Sequence, residues 1–368
     1  MPPPWYRVEE AQQIPSPALV VYRDRVEENL RRMIAMAGGT ERLRPHVKTH
    51  KMAEVIQMQL AAGISKFKCA TIAEAEMLAR AGARDVLLAY PIVGPNVERL
   101  AKLVDALPNT RFSAMADDAD ALRALSRTFA QAARPIEVLL DIDNGMHRSG
   151  IAPAAAAELY RLLGDLPGIR PGGLHVYDGH VRDADLAERV AHGQRDFVPV
   201  DDLWRSLTAA GLPVPRVVAG GTPTFPVHAQ RTDVECSPGT CVFWDIGYAT
   251  KFPDLDFLHA ALLLTRVVSK PTTDRLCLDL GYKAVSPDNP QPRVSLLDVP
   301  DAVPVVHSEE HLTIETPRAG DFKAGDCLYG VPYHVCPTVA LHREAIVVEG
   351  GRVVGRWQVA ARDRMLTV

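Results

Sequence analysis

Six cysteines are scattered through 368 residues, and no two of them stand in a C-x-x-C spacing. That sparseness excludes a disulfide scaffold. Charge of one sign is not in surplus either. Lys and Arg total 41 against 45 Asp and Glu, a formal net charge of −4, whereas a dedicated nucleic-acid binder concentrates basic residues. No apolar run approaches the ~18 residues of a membrane span; the longest, HAALLLTRVV, is broken by His259, Thr265 and Arg266. The start MPPPWYRVEEAQQIPSP has no basic stretch leading into an apolar core, so a cytoplasmic protein without a secretory signal is expected. No repeat at a solenoid period stands out, nor any low-complexity tract beyond the Pro-rich start. What is present is an ordinary globular composition, 47% hydrophobic and 23% charged, able to bury a large core. The length admits two ordinary domains or one barrel with an appendage.

Organisation along the chain decides between these. PALVVY is strand-like and is followed by a helical stretch from about Arg23 to Met36, with apolar positions at Val26, Leu30, Met33 and Ile34. From Leu43 onward eight strand-like runs recur: LRPHVKT, KFKCAT, DVLLAY, TRFSAM, IEVLLDID, GGLHVY, PRVVAGG and VECSPGTCVFW. Most alternate with Ala- and Leu-rich stretches of helical period, and Gly63 and Gly82 sit where helices should stop. Eight strands in alternation point to an α/β fold, a closed (β/α)8 TIM-type barrel. After about residue 256 the runs HAALLLTRVVSK, DRLCLDLG, PRVSLLDV, HLTIET, DCLYGV, REAIVVEGG and RVVGRWQVA are short and joined by turn residues, the pattern of a separate antiparallel β-domain. The expected division is an N-terminal segment 1–23 joining the β-domain, a barrel over 24–255 and the β-domain over 256–368.

Several segments carry polar residues where a buried strand should not. In LRPHVKTHK, two-residue alternation sets Arg44, His46, Lys48 and His50 on one face. Four basic groups together ease deprotonation of a lysine among them, and a neutral lysine amine is what Schiff-base chemistry requires. The bland alternative is a solvated edge strand. IEVLLDIDNGMHRSG likewise sets Glu137, Leu139, Asp141 and Asp143 on one face and delivers Arg148 to the C-terminal mouth of the barrel, where such barrels do chemistry. Its planar fork suits an anion or a phenolic oxygen, although an ordinary surface arginine would look the same. In GGLHVYDGH, His175 and Tyr177 share a face, either as site residues or as core filling. The loops AGGTPTF (219–225) and SPGTC (237–241) follow the seventh and eighth strands, where barrels often hold phosphate; neither matches a Walker A or G-x-G-x-x-G pattern. His334 and Cys336 form an H-x-C pair. On an extended segment both project to one side, and imidazole plus thiolate favours a borderline-soft ion such as zinc with coordination positions left open. The competing reading is a packed cysteine beside a satisfied histidine.

Taken together, RPHVKTHK, DIDNGMHRSG, GLHVYDGH, the PGT loop and HVCPT resemble, in this order and over nearly the whole chain, the D-threonine aldolase and D-serine dehydratase family. This is the metal-dependent branch of fold-type III pyridoxal phosphate enzymes, with a barrel similar to that of alanine racemase. The resemblance implies that Lys48 bonds pyridoxal phosphate, that Arg148 lies near the cofactor ring oxygen and that Tyr177 lines the site. It implies that Gly220, Gly221 and Thr222, with Gly239, Thr240 and Cys241, cradle the phosphate, and that His334 and Cys336 hold a divalent metal (zinc, manganese or magnesium). It also implies a homodimer whose site is completed at the interface. His46 joins the catalytic candidates, as do His180 and Asp183, the latter standing about where some aldolases carry a histidine base. The implied substrate is a small β-hydroxy-D-amino acid, with no nucleic acid or membrane partner. Retro-aldol cleavage to glycine and an aldehyde is placed ahead of dehydration to a 2-oxo acid and ammonia, although an H-x-C pair is the dehydratases' pattern and tilts toward elimination. An amino-acid racemase, needing a second base and no metal, is the next alternative. A cofactor-carrying homeostasis protein would be a shorter, single-barrel chain.

Overall fold

The computed structural model describes residues 4–132 and 134–368. The chain divides into two units, one of Met1–Arg32, Thr49–Met52 and Thr240–Arg362, the other of Met33–Lys48, Ala53–Gly239 and Asp363–Val368.

The second unit is the barrel. After β1 (Ala18–Tyr22) in the other unit, the barrel strands are β2 (Lys66–Cys69), β3 (Asp85–Pro91), β4 (Arg111–Ala116), β5 (Ile136–Ile142), β6 (Ile169–Val176), β7 (Val217–Ala219) and β8 (Glu235–Cys236). They form one parallel sheet in sequential order. The eighth stave is the irregular segment Leu43–His46. Leu43 bridges Cys236 and His46 bridges Lys68, both in parallel sense. Arg44 N donates to Cys236 O and Lys68 N to Pro45 O, each at 2.9 Å. Pro45 has no N–H to give a ladder, so LRPHVKT is a stave without being a regular strand, and Val47–Thr49 turns as a short 3₁₀ helix. The helices Ala53–Ala61 and Ile72–Arg80 end just before Gly63 and Gly82, at φ of 90° and 101°, a conformation that favours glycine.

Alternation along each strand fills the barrel interior in layers. The lowest is ionic: Arg44, fully buried, pairs with Asp85 and Glu235 at 2.6 Å each, and Arg216 pairs with Glu137 at 2.7 Å. Burial opposes charge on Asp85, but hydrogen bonds from Arg44 and the charge beside it outweigh this and hold the carboxyl down at about 2. Above it Leu87, Met115, Leu139 and Val218 make an apolar layer. The uppermost layer, Lys68, Asp141 and His175, is polar again and buried. Arg44 therefore does not share the fate expected from its strand alternation with Lys48. It is neutralised near the N-terminal ends of β3 and β8, because those two strands begin with carboxylates.

The other unit is a nine-stranded sheet. It holds β1, β9 (Ala261–Thr272), β10 (Arg275–Leu278), β11 (Val294–Leu296), β12 (Val303–His307), β13 (Leu312–Glu315), β14 (Cys327–Pro332), β15 (Glu344–Glu349) and β16 (Arg352–Gln358). The path runs β12-β13-β10-β9-β1-β15-β16, with β14 paired to β9 and β11. All pairs are antiparallel except β1 with β15. Its core packs Val20 and Tyr22 against Leu262, Leu264, Tyr329, Val331, Ile346 and Val348. Strand β12 escaped the sequence reading because Pro304 interrupts it and Val303 and Val306 are exposed, the signature of an edge strand.

Replacing Arg44 by Met should leave Asp85 and Glu235 buried without their shared cation and destabilise the chain by about 3–5 kcal/mol. Urea unfolding measures this, and a loss below about 1 kcal/mol would show that the ionic layer is not a cooperative unit of the barrel.

Candidate active site

The C-terminal ends of the barrel strands surround a cavity of about 530 Å³ lined by His46, Lys48, Lys68, Arg148, His175 and Tyr177, among others. That size is in the usual range for small-molecule sites, ~300–1,000 Å³. Lys48 sits in the 3₁₀ turn that follows the eighth stave. Its backbone N–H donates to Nδ1 of His46 at 3.2 Å, so His46 fixes the turn that carries the lysine. His50, the fourth basic residue of the segment, is buried, packs edge-on against Phe243 and is driven down to about 3 by burial. Of the four expected to face the mouth together, the cavity thus receives His46 and Lys48.

Arg148 comes from the loop after β5. Asp143 organises that loop, accepting from Gly145 N at 3.0 Å and His147 N at 2.9 Å and meeting His147 Nδ1 at 2.7 Å. His147 has a φ of 55° and Gly145 of 131°, a left-handed bend few residues tolerate. The bend presents Arg148 to Tyr177, its Cζ lying 4.8 Å from the ring centroid. Lys48 Nζ and Lys68 Nζ each stand 5.8 Å from the same centroid. Arg148 and Lys48, and Lys68 while it holds its proton, are attracted by the quadrupole of that one ring.

Lys68 is the residue the sequence reading did not single out. Its amine is buried, 3.5 Å from both His175 Nε2 and Gly220 O. Burial first, and the Lys48 charge second, bring it down to about 7. Lys68 is thus a lysine whose basicity burial depresses, with the neighbouring Lys48 charge adding to the effect. A relay continues from it: His175 Nδ1 meets Asp141 Oδ1 at 2.7 Å, and Asp141 Oδ2 accepts from Ser149 Oγ at 2.9 Å. Burial and Lys68 lower His175, against the pull of Asp141. Two-residue alternation in KFKC, with Lys66 and Lys68 on one face, was the available signal; it needed the knowledge that this face turns inward.

Gly220, Gly221 and Thr222 follow β7. Their glycines are required by close packing: a Cβ on Gly221 would lie 2.9 Å from the Tyr177 ring, and one on Gly220 2.5 Å from that of His228. The amides of Gly220 and Gly221 already donate to Val176 O at 2.8 Å and Thr224 Oγ1 at 3.2 Å. Gly239 N donates to Thr222 Oγ1 at 3.1 Å, tying the two loops. Asp178, next to Tyr177, anchors this region through Thr224 Oγ1 and His228 Nε2, both at 2.6 Å. His180 and Asp183 do not line the barrel cavity; they pair with Asp196 and His192.

In the antiparallel unit, His334 and Cys336 are not on an extended segment. His334 precedes the helix Val335–Leu341, and Cys336 is its second residue. Pro337 follows, a residue tolerated in a first helical turn. His334 Nδ1 meets Asp288 Oδ2 at 2.5 Å. Burial opposes charging this ring, but hydrogen bonding to Cys336 and Asp288 prevails and raises it to about 9. Cys336 Sγ also lies 3.1 Å from Thr49 Oγ1 and 3.6 Å from Thr240 Oγ1. Thr240 and the buried Cys241 belong to this unit, whereas Gly239 and the β7 loop belong to the barrel.

Comparison with known proteins follows the same two parts. The profile of the alanine racemase N-terminal domain matches residues 21–245, and that of a serine dehydratase domain matches residues 260–348. The chain is 31% identical to D-threonine aldolase from an Arthrobacter species, over 98% of this chain and 96% of that protein. It is similar in structure to D-threonine aldolase from Filomicrobium marinum, with a TM-score of 0.89 and 30% identity over 95% and 96% of the two chains. D-threo-3-hydroxyaspartate dehydratase from Delftia sp. HT23 gives a TM-score of 0.82 and 28% identity over 95% and 98%. A mutant D-threo-3-hydroxyaspartate dehydratase has been solved in a metal-free form. No helix among the described residues is long and apolar enough to cross a membrane.

The Lys68 amine should titrate near 7, against 10.5 for an ordinary lysine. Between those values the unfolded chain binds the proton that the folded chain has released, so stability contributed at this position rises with pH across the window. A side-chain nitrogen NMR titration, assigned with Lys68→Met, checks it; a midpoint near 10 would remove the buried-amine account.

Proposed function

The chain belongs to the family that joins an alanine racemase N-terminal domain to a serine dehydratase domain, a family of pyridoxal phosphate lyases, and on that premise we propose that it cleaves β-hydroxy-D-amino acids in the cytoplasm as a homodimer, by D-threonine aldolase-type retro-aldol chemistry. The observation that carries this reading is the convergence of Lys48, Lys68 and Arg148 on Tyr177 in one cavity at the mouth of the barrel. An amine, a cation-rich wall and an aromatic face are what an aldehyde-bearing pyridine phosphate needs, so the cavity fits that cofactor.

Pyridoxal phosphate, when bound, supplies the electron sink that makes bonds at the substrate's Cα labile. Lys48 Nζ is the amine assigned to hold it, with His46 setting the turn beneath. Arg148 offers a planar fork to an anionic oxygen. Lys68, close to half-neutral near pH 7, can hold or release a proton within reach of His175 Nε2, and Asp141 keeps that imidazole in one orientation. The tied loops Gly220–Thr222 and Gly239 are assigned to the phosphate, with Thr240 and Cys241 as the family pattern suggests. His334 and Cys336, an imidazole and a thiolate with Asp288 on the ring's other partner side, form a donor set that suits a divalent metal, which would act as a Lewis acid toward the β-hydroxyl. Zinc, manganese and magnesium are the candidates.

A second reading, dehydration of the same substrates, is favoured by one feature, the thiol at Cys336 in place of a carboxylate. Product analysis with D-threonine, D-serine and 3-hydroxy-D-aspartate separates the two. Glycine and an aldehyde are expected; a 2-oxo acid with ammonia would replace the aldolase reading by the dehydratase one, and activity confined to L-isomers would end both. Lys48→Ala should remove the visible chromophore of the cofactor-loaded protein and lower kcat by about 10²–10⁴-fold or more. A colourless wild-type protein that takes up no pyridoxal phosphate would defeat the proposal outright.

EDTA should abolish turnover, with recovery on adding a divalent ion, and Cys336→Ser should weaken the recovering ion's hold. Turnover indifferent to EDTA would favour a racemase-like site instead.

A further inference from the structure

Beyond the cavity, four side chains of the barrel unit form a second cluster. His192 and Asp196 are four residues apart on the helix Leu186–Ala209 and so share a face. His180 reaches the same point from the loop after β6. Its Nε2 lies 2.9 Å from Asp196 Oδ2, and His192 Nε2 lies 3.1 Å from that same oxygen. One atom from each of the three residues falls within 4.8 Å of the others. On the far side of His192, Nδ1 meets Asp183 Oδ2 at 2.7 Å. The second oxygen of Asp196 is held by Arg195 Nε at 3.3 Å.

We propose that His180, His192 and Asp196 are the ligands of a divalent-metal site of the zinc class, with Asp183 orienting His192 from behind. Two imidazole nitrogens converge on a single carboxylate oxygen, and both nitrogens of His192 face carboxylates. Protons alone satisfy this only if His192 carries two of them. A single divalent cation among His180 Nε2, His192 Nε2 and Asp196 Oδ2 replaces two of the shared protons, leaves His192 neutral and turns its Nδ1–H toward Asp183. That is the carboxylate–histidine–metal arrangement of protein metal sites. Two imidazoles with one carboxylate suit zinc or a neighbouring first-row divalent ion and leave a position for water. One further observation agrees: Gly145, at a φ of 131°, keeps the Nε2 edge of His180 clear, since a Cβ there would lie 2.8 Å from it.

The ion would be structural. It would pin the segment three residues past Tyr177 to the long helix, bracing the aromatic ring on which the cavity's cations converge. It shares no residue with the His334 and Cys336 pair and stands or falls independently of the proposed activity.

The test is metal counting on the full-length, EDTA-stripped chain with Co²⁺ and Zn²⁺, read by d–d absorption, by equilibrium dialysis and by melting temperature. In His334→Ala/Cys336→Ser one divalent ion per chain should still bind, raise the melting temperature and bind less well at acid pH as the imidazoles protonate. His192→Ala should lose that ion, and Asp183→Asn should bind it about 10–100-fold more weakly. Should the double variant fail to fold, His192→Ala in the wild-type background must lower the stoichiometry by one. No uptake by a folded double variant, or a stoichiometry indifferent to His192→Ala, would overturn the proposal and leave the cluster a protonated-histidine ion-pair network.

Discussion

Positive charge confined at the mouth of a closed barrel is the constraint around which the barrel unit is organised. Lys48, Lys68 and Arg148 converge on one tyrosine ring, and the carboxylate that answers them from the uppermost interior layer, Asp141, acts through His175. Such an arrangement is costly without a countercharge, because cations sharing a low-dielectric space repel. Lys68 lessens that cost by giving up its proton easily. The Tyr177 ring lessens it further through its negative face. Two interior layers below, the opposite solution is used: Arg44 is given two carboxylates and is electrically finished. One barrel therefore holds a cation neutralised by two carboxylates and, above it, a set of basic groups gathered on an aromatic ring.

Placement of that set depends on backbone features as much as on side chains. Pro45 withholds a ladder hydrogen bond in the eighth stave, so the chain breaks into the 3₁₀ turn that carries Lys48 rather than continuing as a strand. The left-handed bend at His147, stapled by Asp143, aims Arg148. Asp178 locks the loop beneath Tyr177 through Thr224 and His228, and the two glycines of that loop are small because the tyrosine and histidine rings occupy the space a side chain would need. These glycines look like phosphate-loop residues in sequence, yet their local necessity is packing.

Much of the architecture was legible beforehand. Eight strand-like runs between helical ones became eight staves, and the change of texture near residue 256 became an antiparallel sheet, because both signals rest on hydrophobic periodicity, which is local. Strand β12 was lost because an exposed edge strand with an internal proline has no such period. The H-x-C pair was legible as a pair but not as the start of a helix, since seven residues are too few to show a helical repeat.

The candidate site divides along the same line. By itself the sequence determined the fold class, the family and the identities of Lys48, Arg148, Tyr177, His334 and Cys336 as residues to watch, since short motifs in a fixed order survive without coordinates. Tertiary structure alone decided which cations share a cavity and which are paired off, that burial lowers the Lys68 amine, and that His180 and Asp183 pair with Asp196 and His192. The physical reason is that charge, burial and hydrogen bonding act through space. Arg44 and Glu235, or Lys68 and His175, are far apart in the chain, and no local pattern records that the barrel brings them within bonding distance.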